Sequence, residues 1–359
     1  MIRSLHLQNF KSHVDTQLEL GRLNVLVGPN AAGKTSVLLA LHLHEQLIWD
    51  EQGVPFQGYH GIRHLVRRGQ NKLLVHVGYD SIDLALQATY SSQTLQGFNL
   101  TAYQDERSVG PILESGHWTN GQRYTHRQTV QHTWQKRTGR PAFLQLTPGD
   151  LMAPAPMSAS PVLSMSGRGL AAVIAEMKLT DSKALDAIVT DLQTIVPQLI
   201  ALRVHTVDHV TEHNQTEGRM ELLVDFEGAP GIPAHAVSEG TLIAIGLMTI
   251  LHMEQRPKLI LLDDIDQSLH PKAQWELIRL LRRFIEQDDE LQIVATTHSP
   301  YLVDELEPEE VIVTALDDEG VSHCRRLSDH PDAARLREVL STGEMLSAQG
   351  EDWVIQPAS

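Results

Sequence analysis

The segment Gly28-Pro29-Asn30-Ala31-Ala32-Gly33-Lys34-Thr35 fits G-x-x-x-x-G-K-[ST], a phosphate-binding P-loop. It constrains the fold because it needs a buried strand before it and a helix after it. Leu23 to Val27 reads as that strand and Thr35 to Leu47 as that helix. Glycines let backbone N–H groups turn toward a phosphate, and the helix N-terminus adds a favourable dipole. Lys34 supplies a point charge for the β- and γ-phosphates, and the Thr35 hydroxyl suits Mg²⁺. The bland reading is a glycine turn with an incidental Lys-Thr, but context and motif agree on a site for ATP or GTP.

Later segments supply compatible chemistry. Leu259-Ile260-Leu261-Leu262-Asp263-Asp264 is an apolar strand ending in carboxylates, as a Walker B element requires. Asp263 is the candidate for the Mg²⁺ shell. Asp264 is the candidate for orienting or deprotonating the attacking water. Leu291 to Thr296 is another buried strand, running into Thr297-His298-Ser299-Pro300. An imidazole at His298 suits a γ-phosphate oxygen or the water, against the plainer reading of a satisfied turn histidine. Ser238, in Val237-Ser238-Glu239-Gly240-Thr241, reads alone as a helix N-cap, and such a helix start is also a ready anion site. His42 and His44, two apart on a helix, face different ways and make a poor metal pair.

The rest of the chain fits an α/β protein. Strands are expected at Ile2 to Leu7, Thr16 to Leu20, 74–77, 84–90, 98–103 and Pro141 to Leu146. Residues 147–167 read as a long loop rich in Pro, Ser and Met, followed by helices at 169–179 and 182–195. Further strands are expected at 202–207, 219–226 and 311–316, and helices at 239–252 and 272–286. The last of these carries Trp275, Ile278, Leu281 and Ile285 at helical spacing. Short helices are expected at 300–306, 333–340 and 344–348.

Composition narrows the function classes. One cysteine, Cys324, leaves no internal disulfide, and Met1-Ile2-Arg3-Ser4 opens no secretory segment, so a reducing, cytoplasmic setting is expected. The longest mainly apolar run, Leu242 to Leu251, is far below the roughly 20 residues of a membrane span. A net charge of −16 repels nucleic acid overall. A local exception is the acid-free window 115–149, with Arg123, Arg127, Lys136, Arg137 and Arg140 among Trp118, Tyr124 and Trp134. A smaller cluster is Arg63, Arg67, Arg68 and Lys72. DNA contact competes here with a solvated loop face or the dock of an acidic protein.

Taken in order, these elements resemble the ATPase heads of the ABC superfamily, in the RecF, SMC and OLD-like branch found among bacterial AAA-annotated ATPases of anti-phage systems. The residues carrying the resemblance are Asn9-Phe10-Lys11-Ser12-His13, the Walker A segment Gly28 to Thr35, Ser238 to Thr241 as signature, Leu261 to Pro271 as Walker B running into the D-loop, and Thr296 to Pro300 as switch histidine. It spans 1–50 and 235–305 firmly and is architectural between them.

The resemblance implies an ABC-type P-loop ATPase head with a mixed sheet, an antiparallel β subdomain and a small helical insertion. Its parts would be lobe I at 1–146, a loop and helical insertion at 147–200, lobe II at 201–318 and a C-terminal tail at 319–359. It implies ATP and Mg²⁺, with Gly28, Pro29, Asn30, Ala31, Ala32, Gly33, Lys34, Thr35 and Ser36 around the nucleotide. Ser238 and Gly240 would reach the γ-phosphate held by a second copy. Gln145 is the candidate Q-loop residue at the metal, and Lys11 would lie near the nucleotide.

Two residues depart from the pattern. Asp264 stands where the family usually has Glu, so slow turnover is expected, and Glu239 stands where transporter signatures have Gly. No nuclease motif is visible and the stretch after 306 is short, so effector chemistry is expected on a separate subunit. The expected function is an ATP-dimerised ATPase in DNA repair or antiviral defence. The alternatives are a scaffold or sensor with negligible hydrolysis and, fitting poorly, a transporter subunit.

Overall fold

The computed structural model describes residues 1–49, 62–80, 83–91, 94–104, 107–114, 142–158, 160–210 and 216–356. Its strands are β1 (Ile2–Phe10), β2 (His13–Glu19), β3 (Leu23–Val27), β4 (Lys72–Tyr79), β5 (Asp83–Ser91), β6 (Thr94–Gln104), β7 (Arg107–Glu114), β8 (Ala142–Leu144), β9 (Ala155–Pro156), β10 (Leu199–Val210), β11 (Thr216–Phe226), β12 (Ala229–Pro233), β13 (Leu259–Leu262), β14 (Gln292–Thr297), β15 (Val311–Leu316) and β16 (Ser322–Arg326). Its helices are α1 (Lys34–Trp49), α2 (Ile62–Leu65), α3 (Pro148–Leu151), α4 (Leu170–Thr180), α5 (Ser182–Ile195), α6 (Glu239–Leu251), α7 (Pro271–Gln287), α8 (Pro300–Val303), α9 (Ala333–Leu336) and α10 (Thr342–Gln349).

Two compact units emerge. The first comprises Met1–Pro141, Lys258–Leu262 and Asp288–Ser359. It holds an antiparallel sheet in the order β2-β1-β4-β5-β6-β7, and a second sheet containing β16-β15-β3-β14-β13. In the second sheet β3 lies between β14 and β15, parallel to both, and β13 is parallel to β14. Parallel strands are buried on both faces, which is why β3, β13 and β14 read as unbroken buried runs rather than alternating ones. Helix α1 touches β1 and β4 of one sheet and β13 and β14 of the other. A helix covered on all sides must be apolar all round, and Val37, Leu38, Leu39, Ala40, Leu41 and Leu43 are all buried.

Gln292 ties these pieces together. Its Nε2 donates to the carbonyls of Ile2 and Gly21, each at 2.7 Å, and its Oε1 accepts from the Ile2 amide at 2.9 Å. A buried amide must have its hydrogen bonds met, so one side chain joins the start of β1, the turn before β3 and the start of β14.

The second unit comprises Ala142–Pro257 and Asp263–Gln287. A long hairpin of β10 and β11 continues into β12, and β9 also pairs with β11. Helix α6 is buried from Gly240 to Leu251. Helix α7 is amphipathic, with Gln274, Leu277, Ile278, Leu281 and Phe284 buried and Trp275 only half-buried. Asp191 of α5 binds His252 Nε2 at 2.8 Å and the Arg283 guanidinium of α7 at 2.5 Å. That buried carboxylate fastens three helices at one point.

The structure adds elements that the sequence pattern left out. The stretch 147–167 holds α3, started by Thr147 as N-cap and Pro148, and the two-residue β9. Strands β7, β12 and β16 carry Gly, Pro or charge where period-2 alternation would be read, and pairing with their neighbours holds them. Helix α8 stops at Val303, short of Leu306.

Candidate nucleotide site

In the first unit, β3 passes from Val27 into Gly28, and α1 begins at Lys34. Gly28 and Gly33 have φ of +149° and +101°, outside the range open to ordinary side chains. A Cβ on Gly28 would lie 2.1 Å from the Thr314 carbonyl oxygen. Thr314 also donates its hydroxyl to the Val27 carbonyl at 2.9 Å, so β15 presses closely on the mouth of the loop. Ala31 is left-handed as well, with φ of +64°, a conformation costly for a residue with a Cβ. Local strain of this kind collects where backbone groups must be aimed.

Lys34 is buried, and its Nζ donates to the carbonyls of Gly28 at 2.8 Å and Pro29 at 2.9 Å. The ammonium thus sits over its own loop. Pro29, Asn30, Ala31 and Thr35 are exposed, whereas Ala32 and Ser36 are buried. Register pairs Val27 with Thr297 on the adjacent parallel strand β14. Exposed His298 therefore leaves the same carboxyl edge of the sheet as Gly28 does. Ligands of open parallel sheets gather beyond that edge.

Sequence reasoning gave His13 no role of its own, yet it reaches the loop. It is fully buried, with Nδ1 3.0 Å from Thr16 Oγ1 and Nε2 3.1 Å from the Gly33 carbonyl. Burial lowers its pKa to about 4, opposed by the Gly33 hydrogen bond. Ser322 Oγ lies 2.6 Å from Ser12 Oγ beside it. The available signal was a histidine four residues past Asn9, which spacing alone does not distinguish from a core histidine. Lys11, with φ of +52°, lies in the same turn, where its amide donates to the Leu65 carbonyl.

In the second unit, Asp263 and Asp264 open the segment directly after Leu262 of β13. Gln145 Nε2 donates to Asp263 Oδ2 at 3.0 Å, and the Asp263 amide donates to the Leu144 carbonyl at 3.1 Å. Two of the three residues expected at a metal, Gln145 and Asp263, are therefore in contact. The Gln145 and Asp263 side-chain oxygens are the hard donors Mg²⁺ prefers, so their residue types fit that ion. Asp264 is exposed and left-handed, with φ of +49°.

Ser238 caps α6, accepting from the Thr241 amide at 3.3 Å and sharing a hydrogen with Thr241 Oγ1 at 2.7 Å. Ser268 Oγ donates to the Glu239 carboxylate at 2.9 Å. A Cβ on Gly240 would lie 2.3 Å from the Ser268 carbonyl. The Gly240 requirement is therefore steric: the turn after Asp264 lies against the helix start.

Other expectations fall elsewhere. The aromatic-basic residues between 115 and 141 lie outside the described residues. Arg67 is engaged with the carbonyls of Ser12, Gly320 and Glu319, bracing the chain. His42 and His44 are both buried, and no metal-holding cluster occurs among the described residues. Burial raises the Cys324 thiol to about 12. No described helix is long and apolar enough to cross a membrane.

Comparison with known proteins matches the same segments. Residues 177–304 match a family described as "AAA domain, putative AbiEii toxin, Type IV TA system", and residues 1–52 match "AAA ATPase domain". The chain is 36% identical over 69 residues to Septu protein PtuA of Bacillus thuringiensis, covering 19% of this chain and 17% of that protein. It is 24% identical over 336 residues to OLD nuclease of Thermus scotoductus, covering 85% of this chain and 60% of that one. The chain thus spans less than two thirds of the length of either relative. The fold matches an SMC head solved with the C-terminal winged-helix domain of ScpA, with a TM-score of 0.59 and 15% identity, over 93% of this chain and 99% of that one. Motifs, family models and fold agree on an ATPase head of the ABC/SMC/OLD-like type.

Proposed function

We propose that the chain binds Mg–ATP and hydrolyses it slowly, and that ATP joins two copies. In this reading the P-loop of one copy holds the triphosphate, and Ser238 and Gly240 of the second copy close on its γ-phosphate. Lys34 neutralises the β/γ-phosphates; Thr35, Asp263 and Gln145 hold Mg²⁺; Asp264 orients water; His298 contacts the γ-phosphate. Such a dimer would control a separate effector subunit, a nuclease, in DNA repair or phage defence. The resemblance to OLD nuclease supports that class of effector, and the window 115–149 is the proposed DNA contact. The proposed organisation is a lobe I at 1–146, an insertion at 147–200, a lobe II at 201–318 and a tail from 319, in a cytoplasmic protein.

The observation that carries the reading is how the motifs are apportioned. The P-loop and His298 belong to one compact unit, whereas Asp263, Asp264 and the Ser238 helix belong to the other. Light scattering after gel filtration tests it. Wild type should double in mass with Mg–ATP, and Lys34→Ala and Ser238→Arg should not. A monomer at every nucleotide concentration would refute the sandwich. A second reading, an ATP-set scaffold with negligible turnover, is favoured by Asp264, one methylene shorter than Glu. It predicts the same doubling without phosphate release.

A further inference from the structure

We infer that His13 is a positioning residue of the nucleotide site: a neutral imidazole strut that fixes the Gly33 carbonyl and so orients the first backbone amides of α1. The inference rests on the P-loop holding a triphosphate. The carbonyl of Gly33 can only accept, so Nε2 must carry the hydrogen in the 3.1 Å bond. Nδ1 is then an acceptor, and the Thr16 hydroxyl at 3.0 Å donates to it. Both ring nitrogens are satisfied in one tautomer, inside a site with no solvent exposure. Burial holds the ring neutral down to about pH 4.

The Gly33 carbonyl already accepts the α1 amides of Ser36 at 2.9 Å and Val37 at 3.3 Å. Those bonds run along the helix, whereas His13 comes from the β1–β2 turn, so it adds a sideways restraint. The peptide joining Gly33 to Lys34 is planar, with its C=O and N–H pointing opposite ways. Fixing the carbonyl therefore fixes the Lys34 N–H, one of the first four helix amides that lack an intrahelical acceptor. Such amides are what a helix start offers an anion.

The close approach has a cause in the sequence. A Cβ on Gly33 would lie 2.7 Å from His13 Nε2, 2.5 Å from Ser322 Oγ and 3.1 Å from Ser12 Oγ. Only glycine lets this polar group pack against the loop. Arg67 Nη1 donates to the Ser12 carbonyl at 3.2 Å and the Gly320 carbonyl at 3.0 Å and so braces the same turn.

The test compares His13→Asn with His13→Gln in the full chain. The Gln amide nitrogen reaches the Nε2 position and can donate to Gly33; the Asn amide stops at Nδ1. With Mg²⁺ and a fluorescent ATP analogue, His13→Asn should raise the dissociation constant about tenfold, and His13→Gln should stay within about threefold of wild type. Melting temperatures serve as the folding control. If wild type binds, Lys34→Ala does not and His13→Asn binds as wild type does, the strut is overturned and the P-loop reading stands. If Gln and Asn lose affinity equally, the strut is also overturned. If wild type itself fails to bind, the P-loop reading falls. Independently of any variant's folding, ¹⁵N NMR of the His13 ring should show the Nε2–H tautomer. An Nδ1–H tautomer would overturn the strut, because Nε2 could not then donate.

Discussion

Gln145 Nε2 donates to Asp263 Oδ2 across 3.0 Å, joining the residue after β8 to the residue after β13. The bond orients one carboxylate oxygen and leaves the Gln145 carbonyl oxygen available as a second hard donor. Gln145→Ala should lower kcat about tenfold while nucleotide affinity changes less than threefold, since one hydrogen bond to a charged group contributes about 1.5–3 kcal/mol. Steady-state phosphate release alongside nucleotide titration separates the two effects.

Asp264 combines a short carboxylate with a left-handed backbone. Asp tolerates that region better than most residues, and Glu does so less well. Asp264→Glu should therefore raise kcat by extending the carboxylate, and lower stability by about 1 kcal/mol. Asp264→Asn should abolish turnover and leave binding intact. A longer carboxylate that brings no gain in kcat would refute the reach argument.

Gly240 lies against the Ser268 carbonyl, where a Cβ would come within 2.3 Å of a backbone oxygen. Gly240→Ala should push the turn after Asp264 off the start of α6 and block ATP-driven dimerisation. Ser268→Ala removes only the hydroxyl donated to Glu239. It should cost about 1 kcal/mol of stability or less, because that pair is exposed. Light scattering and thermal unfolding distinguish the two variants.

Acid should weaken the first unit through two buried histidines. Burial lowers His13 to about 4 and His44 to about 3, from an ordinary 6.5. Between those values and 6.5 the unfolded chain binds more protons than the folded one, so stability falls as pH falls. It is unaffected by these two groups above about pH 6.5 and declines progressively toward pH 4 and 3. Urea midpoints from pH 8 to pH 4 should trace that decline. His13→Gln should flatten part of it.

Asp191 is held by His252 and Arg283 in a nearly closed setting. Asp191→Ala should destabilise the second unit by about 3 kcal/mol, because it leaves two polar partners without their shared acceptor. Calorimetry should show that unit melting earlier.

Legibility in the sequence followed the period of burial. Strands β3 and β13, buried on both faces, and helix α5, bounded by Asp181 and Pro197, were read to the residue because local pattern and tertiary role coincide there. Strand β16 was missed because Ser322-His323-Cys324-Arg325-Arg326 has no apolar alternation; register with β15 and the Ser322 contact to Ser12 hold it. In the site, motif spacing marked Lys34, Asp263 and His298. It could not mark His13, Ser268 or Thr314, whose contacts join segments distant in the chain: His13 Nε2 meets a carbonyl 20 residues away and Thr314 one 287 residues away.

The amide of Gln292 makes the first strand a sentinel for the second sheet. Trimming the chain through Arg3 would strip this side chain of two of its three partners and let water in at the foot of β3 and β14. Hydrogen exchange should then quicken along Leu23 and Ile293, beside the lost contact though distant in the chain from each other, so an untouched edge becomes a condition for a sound phosphate loop.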